Sequence, residues 1–147
     1  MGLIDELRGK RVYFDANIFI YLIEGNAEFQ TLLSEISQAL ADGLFEVVSS
    51  HLTLTEVLPP LVRKGDQELI NKVIEFICDA DTFDLREADE SVCIQAAVLR
   101  AEYGIKTPDA LHVATAIHEN CEVFLTNDAR IRAPNFLKRI ILSDFRE

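Results

Sequence analysis

No apolar run in this chain is long enough to cross a bilayer. The longest, such as Ile18 to Ile23, fall far short of the roughly 20 residues a spanning helix needs. The opening Met1-Gly-Leu-Ile-Asp-Glu lacks the basic start of a secretory leader, so the chain reads as cytoplasmic, with no membrane association. Cysteine is scarce. Cys78, Cys93 and Cys121 are odd in number, far apart and form no Cys-x-x-Cys pair, which argues against a disulfide framework or a zinc site and leaves buried free thiols. No stretch has the composition of a linker, and neither internal repeats nor low-complexity segments occur. No Gly-x-Ser-x-Gly surrounds Ser49, Ser50 or Thr53, so a serine-hydrolase elbow is not indicated. Basic residues are outnumbered: 14 Lys and Arg against 25 Asp and Glu give a formal net charge of −11. Such a surface does not grip nucleic acid as a whole. A polyanionic substrate would need a restricted landing site, bridged by a cation or rimmed locally by base.

What is present is enough apolar material for one substantial core: 147 residues, 49% hydrophobic, which predicts a single domain over residues 1–147. Val12-Tyr-Phe reads as a short strand ending at Asp15, with a helix following through Ile18 to Ile23. Phe29, Leu32, Leu33, Ile36, Ala39 and Leu40 fall at helical spacing, and Gly43 supplies a stop. Leu44 to Val48 reads as a second strand, Ser49-Ser50 as caps of the next helix, and Pro59-Pro60 as its interruption. A stripe of Leu69, Ile70, Val73, Ile74 and Ile77 predicts another helix, and Thr82 to Leu85 a strand. Val92, Ala96, Leu99 and Tyr103 mark a helix closed by Gly104; Thr107 as N-cap with Pro108 opens the next. Val123-Phe-Leu-Thr and Arg139 to Leu142 complete the strands. This alternation predicts an α/β layered fold with a central, mainly parallel sheet flanked by helices.

Four acids stand where such strands end or helices begin: Asp15, Glu56, Asp109 and Asp128. Open α/β sheets bind ligands beyond the carboxyl ends of their strands, so all four can reach one rim. Each also has an ordinary explanation. Asp15 can cap the following helix, Asp109 can favour a helix N-terminus by about 0.3–1 kcal/mol, Asp128 can belong to a turn, and Glu56 can be solvated. Carboxylates pushed together repel unless a cation neutralises them. A hard ion such as Mg²⁺ takes oxygen ligands and keeps several waters, which suits hydrolysis of a phosphodiester.

The surroundings of these acids carry a resemblance. Val12-Tyr-Phe-Asp15-Ala-Asn17, Ser50-His-Leu-Thr53-Leu-Thr-Glu56-Val-Leu, Lys106-Thr-Pro-Asp109-Ala-Leu-His-Val-Ala-Thr-Ala and Phe124-Leu-Thr126-Asn-Asp128 together resemble the PIN-domain family, most of all its VapC-type toxin ribonucleases, from about Val12 to Leu142. The resemblance implies a PIN-like three-layer fold and an endoribonuclease dependent on Mg²⁺ or Mn²⁺. It implies that Asp15, Glu56, Asp109 and Asp128 form the acidic metal-binding quartet, with Thr126 beside the fourth acid and Asn17 ordering the first. It also implies an RNA substrate, a cognate antitoxin whose Arg or Lys enters the acidic pocket, and a homodimer. Where many relatives carry a further acid after the fourth, this chain has Ala129, Arg130, Ile131 and Arg132.

Other readings are weaker. His112, three residues after Asp109, reads as a hydrogen-bonded helix histidine ahead of a ligand, and His51 and His118 carry less signal. Asp79-Ala-Asp81-Thr-Phe-Asp84 with Glu90 imitates a calcium loop, but Phe83 and Asp84 break its pattern, so a solvated acidic edge is expected. Lys106, Arg130, Arg132, Lys138 and Arg139 can contact phosphates or simply be surface charge. An aspartate-nucleophile phosphotransferase wants a second acid at Asn17. A PIN-like RNA- or protein-binding module with weak catalysis is the alternative that keeps all four acids.

Overall fold

Alternation along two short strands decides the architecture. Val12 and Phe14 face one side of the sheet and Tyr13 the other, as do Val123 and Leu125 against Phe124, and all six side chains are fully buried. Strands buried on both faces belong to a parallel sheet covered by helices. The computed structural model describes residues 2–146; Met1 and Glu147, the ends of the expected domain, lie outside the described residues.

The strands are β1 (Arg11–Phe14), β2 (Glu46–Ser50), β3 (Phe83–Arg86), β4 (Val123–Thr126) and β5 (Lys138–Ile141), in the order β3-β2-β1-β4-β5 with every pairing parallel. The helices are α1 (Leu3–Leu7), α2 (Ala16–Glu24), α3 (Gln30–Ala41), α4 (Leu52–Val57), α5 (Pro59–Lys64), α6 (Gln67–Ile77), α7 (Glu90–Tyr103) and α8 (Thr107–His118). Phe14, Val47 and Phe83 pack with Leu7, Phe19, Ile36 and Ile77 in a core beneath α1 to α6. Tyr13, Val48 and Phe124 pack with Leu99, Val113 and Ala114 beneath α7 and α8. The result is three layers, and the α/β expectation holds. Among the described residues no helix is long and apolar enough to cross a membrane.

Local differences from the sequence reading have physical causes. The second strand lies two residues later than expected, because Ser49 and Ser50 continue the ladder opposite Leu85 and Arg86 instead of capping. His51 holds the N-cap position of α4, and Ser50 Oγ accepts from the Leu52 N–H at 3.1 Å. Thr107 is not the N-cap of α8. Lys106 is, since its carbonyl already accepts the first helical bond from Ala110 at 2.9 Å, and no side chain caps that end. Pro59-Pro60 does interrupt its helix, separating α4 from α5. Gly104 closes α7 in the left-handed region, φ 67°, where a side chain would be strained. The thiols divide: Cys121 is buried, but Cys78 and Cys93 are exposed, against the expectation of buried cysteines. The acidic stretch is also less solvated than expected, since Phe83 is buried and Asp84 pairs with Arg11 at 3.2 Å and Arg86 at 2.8 Å.

Candidate active site

The register of β1 and β4 builds the floor of the site. Tyr13 lies opposite Phe124 and Phe14 opposite Leu125, so the next residues, Asp15 and Thr126, meet at the carboxyl edge of the sheet. The Asp15 N–H continues the ladder to the Leu125 carbonyl at 3.0 Å. Asp15 is N-cap of α2 and 4% exposed. Its Oδ1 accepts from the Ala16 N–H at 2.8 Å; its Oδ2 accepts from Thr126 Oγ1 at 2.7 Å and Asn17 Nδ2 at 3.3 Å. Thr126 in turn accepts from Asn17 Nδ2 at 3.1 Å and the Asp128 N–H at 3.0 Å. Asn17 also accepts the Asn127 N–H through Oδ1 at 3.0 Å. One buried hydroxyl thus ties the turn after β4 to the acid after β1.

Glu56 reaches the same edge from α4. Ser49 Oγ donates to the Phe14 carbonyl at 2.9 Å and bonds Thr53 Oγ1 at 2.9 Å, which pins the first turn of α4 onto the sheet one turn before Glu56. Thr53 therefore places the helix that carries the acid. Asp109 arrives from the first turn of α8, and Asp128 from two residues beyond β4. Glu56, Asp109 and Asp128 line an open cleft of about 550 Å³ together with Lys106, Arg130 and Arg132.

His112 lies beneath these acids, with no exposed surface. Its Nε2 donates to Glu56 Oε1 at 2.5 Å, since an ionised carboxylate only accepts, and stands 4.0 Å from Asp15 Oδ1. Its Nδ1 shares a 2.5 Å hydrogen bond with the Tyr13 hydroxyl. The histidine is the hydrogen-bonded helix residue that its position on α8 suggested. Tyr13 is a site residue that motif reading missed; the signal was its place two residues before Asp15, on the same face of the strand. Asn127, to which the sequence reading gave no role, also anchors the site: its Nδ2 donates to the Tyr21 hydroxyl at 3.1 Å and its Oδ1 accepts the Ser143 N–H at 3.0 Å.

The acids differ electrostatically. Burial raises the Asp15 pKa, partly offset by His112 and by the Thr126 and Ala16 hydrogen bonds. Asp109 is also raised, by partial burial and then by the negative charges of Asp15 and Asp128. Asp128 is lowered by its hydrogen bonds to Arg130. For His112, burial disfavours the imidazolium, but the Glu56 hydrogen bond and the Asp15, Glu56 and Asp109 charges outweigh it and raise the pKa. Tyr13 is pushed well up, by burial and then by Asp15, so its hydroxyl keeps its proton.

The expected quartet thus shares one edge, with Asp15 at its floor and the other three acids lining its cleft. Among the described residues no three His, Cys, Asp or Glu side chains are gathered tightly enough to enclose an ion by themselves. The donor set still fits a hard divalent cation in an open, water-rich shell. All four donors are carboxylates, and Asp109, whose ionised form is disfavoured by burial and by its acidic neighbours, has neither a hydrogen bond nor a salt bridge among the described residues. The basic residues divide: Lys106, Arg130 and Arg132 line the cleft, whereas Lys138 pairs with Glu6 at 2.8 Å and Arg139 donates to the carbonyls of Ala129 and Ile131.

A five-stranded parallel sheet with carboxylates gathered at its carboxyl edge defines an α/β domain with an acidic site. The PIN domain family model matches residues 12–137, and the chain belongs to that family. Its fold is shared with a chain of a toxin-antitoxin complex from Klebsiella pneumoniae, 23% identical with a TM-score of 0.65 over 89% of this chain and 97% of that one. VapBC2 from Rickettsia felis bound to a promoter DNA fragment contains a chain 17% identical, TM-score 0.64, covering 89% and 98%. VapBC-1 from nontypeable Haemophilus influenzae contains one 19% identical, TM-score 0.60, covering 90% and 98%. At these identities the likeness is one of fold. No curated protein sequence matches the chain.

Proposed function

We propose that this chain is a single-domain endoribonuclease dependent on Mg²⁺ or Mn²⁺, acting as the toxin of a cytoplasmic toxin-antitoxin pair. The observation that carries the reading is Asp109: a half-buried carboxylate without a hydrogen-bond or salt-bridge partner among the described residues, facing Asp15, Glu56 and Asp128 at the edge where this fold class binds ligands. A folded protein keeps such a group at a cost, and a cation removes the cost.

Asp15 and Asp109 would hold the ion, with Glu56 joining directly or through water. A bound divalent cation would lower the pKa of a water molecule and offset charge on the transferring phosphoryl group. The chain's own residues supply orientation. Thr126 and Asn17 fix the Asp15 carboxylate, His112 fixes that of Glu56, and the Lys106–Arg132 side of the cleft offers positive charge to phosphates. Attack by water leaves a 5′-phosphate and a 3′-hydroxyl. The toxin assignment is supported by membership of the PIN family and by fold likeness to chains solved in toxin-antitoxin complexes. An antitoxin that places an Arg or Lys beside Asp109 would satisfy the same unpaired charge, and a homodimer follows from the same kinship.

Purified chain and an Asp109→Asn variant, incubated with structured and single-stranded RNA in Mn²⁺, Mg²⁺ or EDTA, test the reading. Cleavage is expected only with metal and only in the unsubstituted chain, with the cut ends carrying the groups named above. A folded, antitoxin-free protein that cuts no RNA in any metal would instead be an RNA- or protein-binding module.

A further inference from the structure

Two of the three carboxylates that line the cleft are treated differently by the chain itself. Asp109 has no partner among the described residues. Asp128 has its carboxylate engaged on both oxygens by one residue, Arg130. The guanidinium Nε donates to Oδ1 at 3.0 Å and Nη2 to Oδ2 at 3.1 Å, while the Arg130 backbone N–H donates to Oδ1 at 2.9 Å. The backbone bond makes Asp128 and Arg130 a local turn, so the guanidinium starts close to the carboxylate it caps. The residues after Asp128 offer no further acid to draw in a second ion; they are Ala129, Arg130, Ile131 and Arg132, and both arginines line the cleft.

We propose that Arg130 is the built-in cation of the Asp128 half of the site, so that the chain takes one divalent ion, at the Asp15–Asp109 half, and no second one at Asp128. The inference rests on the cation reading above and specifies its stoichiometry. A guanidinium and a divalent ion compete for the same two oxygens, and the guanidinium is tethered two residues away. The Arg130 side chain is 84% exposed, and its Nη1 has no partner among the described residues. A planar guanidinium docked on Asp128 through one edge thus keeps a second edge for a phosphate oxygen of the substrate. In that geometry Arg130 is a positioning residue, supplying beside Asp128 the positive charge that a second ion would bring.

Counting bound Mn²⁺ by the paramagnetic resonance of the free ion tests this on the whole, folded chain, independently of RNA cleavage. The unsubstituted protein is expected to bind one Mn²⁺. Arg130→Gln is expected to gain a second binding equivalent, and Arg130→Gln combined with Asp128→Asn to return to one. Arg130 is exposed, and the double variant removes the acid along with its partner, so the comparison does not depend on a destabilised fold. Two ions on the unsubstituted chain, or one ion at unchanged affinity in Arg130→Gln, overturns the proposal. Asp109→Asn separates the two readings. If that variant loses the ion while Arg130→Gln binds as before, the cation site stands and the role of Arg130 fails. If the unsubstituted chain and Arg130→Gln both bind none, both readings fall.

Discussion

Thr126 donates its hydroxyl to Oδ2 of Asp15 at 2.7 Å, although 111 positions separate the two residues. Thr126 Oγ1 also accepts from Asn17 Nδ2 and from the Asp128 N–H, so removing it takes one of two side-chain donors from Asp15 Oδ2 and leaves the part-buried Asp128 N–H without its acceptor. Thr126→Val keeps the shape and loses the bonds, and it should cost about 1–3 kcal/mol. Thr126→Ser should lie close to the unsubstituted chain. Urea unfolding of the pair decides this, and equal midpoints for Val and Thr would show that the hydroxyl does not hold the floor together.

Asp109→Asn should separate stability from activity. With EDTA present, the substitution removes a charge that Asp15 and Asp128 repel, and the folded state should gain. For a chain of this size each kcal/mol corresponds to about 2–4 °C in Tm, which sets the expected rise. Added Mn²⁺ should raise the Tm of the unsubstituted chain by mass action and leave that of the variant nearly unchanged. A lower Tm for the variant in EDTA would mean that the carboxylate is a structural group.

Acid should expose the contribution of a different aspartate. At the edge of the sheet away from the cleft, hydrogen bonds from Arg86, and then from Arg11, hold the Asp84 carboxyl below its ordinary range despite partial burial. The folded-state pKa is depressed, so the stabilisation is present in full above the unfolded value of about 3.9 and is lost as pH falls through the lower folded value. Asp84→Asn should therefore be less stable than the unsubstituted chain at neutral pH and converge on it as pH falls through the depressed folded-state value. Denaturant melts at several pH values measure this, and a gap that persists unchanged into acid would remove the ion pairs as its cause.

The thiols should react in two classes. Cys78 and Cys93 are exposed. Burial raises the Cys121 thiol to about 12, so almost none of it is thiolate near neutrality. A disulfide reagent at pH 8 should modify two cysteines promptly and the third only after denaturant is added. Prompt modification of all three would contradict the packing of Cys121 against the α7–α8 layer.

Much of this was legible in the residues because the informative patterns are local. The run from Val12 to Phe14 ends at an acid, and strand followed by helix is readable over a dozen residues, so Asp15 and Asp128 could be placed at a sheet edge without coordinates. Asp15 and Asp128 share that edge because parallel strands end there, and Glu56 and Asp109 reach it from α4 and from the first turn of α8. What escaped depends on distant partners. Ser49 reads as a cap in sequence, yet its hydroxyl is satisfied by Phe14 and Thr53, which lets it remain in a buried strand. Tyr13 reads only as part of a short strand, and it is buried in the core, but its hydroxyl meets His112 across 99 positions. The pairing of Arg130 with Asp128 is local and was missed for another reason: a basic residue beside an acidic site reads first as a contact for the substrate.

The strand order has a consequence for the timing of assembly. β1 sits in the middle of the sheet, between β2 and β4. A chain emerging from the ribosome delivers Asp15 early, but its neighbour on one side follows only with Val123 to Thr126. Until then the first acid lies on an open sheet margin, without the hydroxyl that fixes it and without Asp128. Pairings between distant segments form late and slowly. Whatever chemistry the cluster performs is therefore withheld until most of the chain has been made, and a translation product cut short before β4 would carry two or three of the acids and no working site.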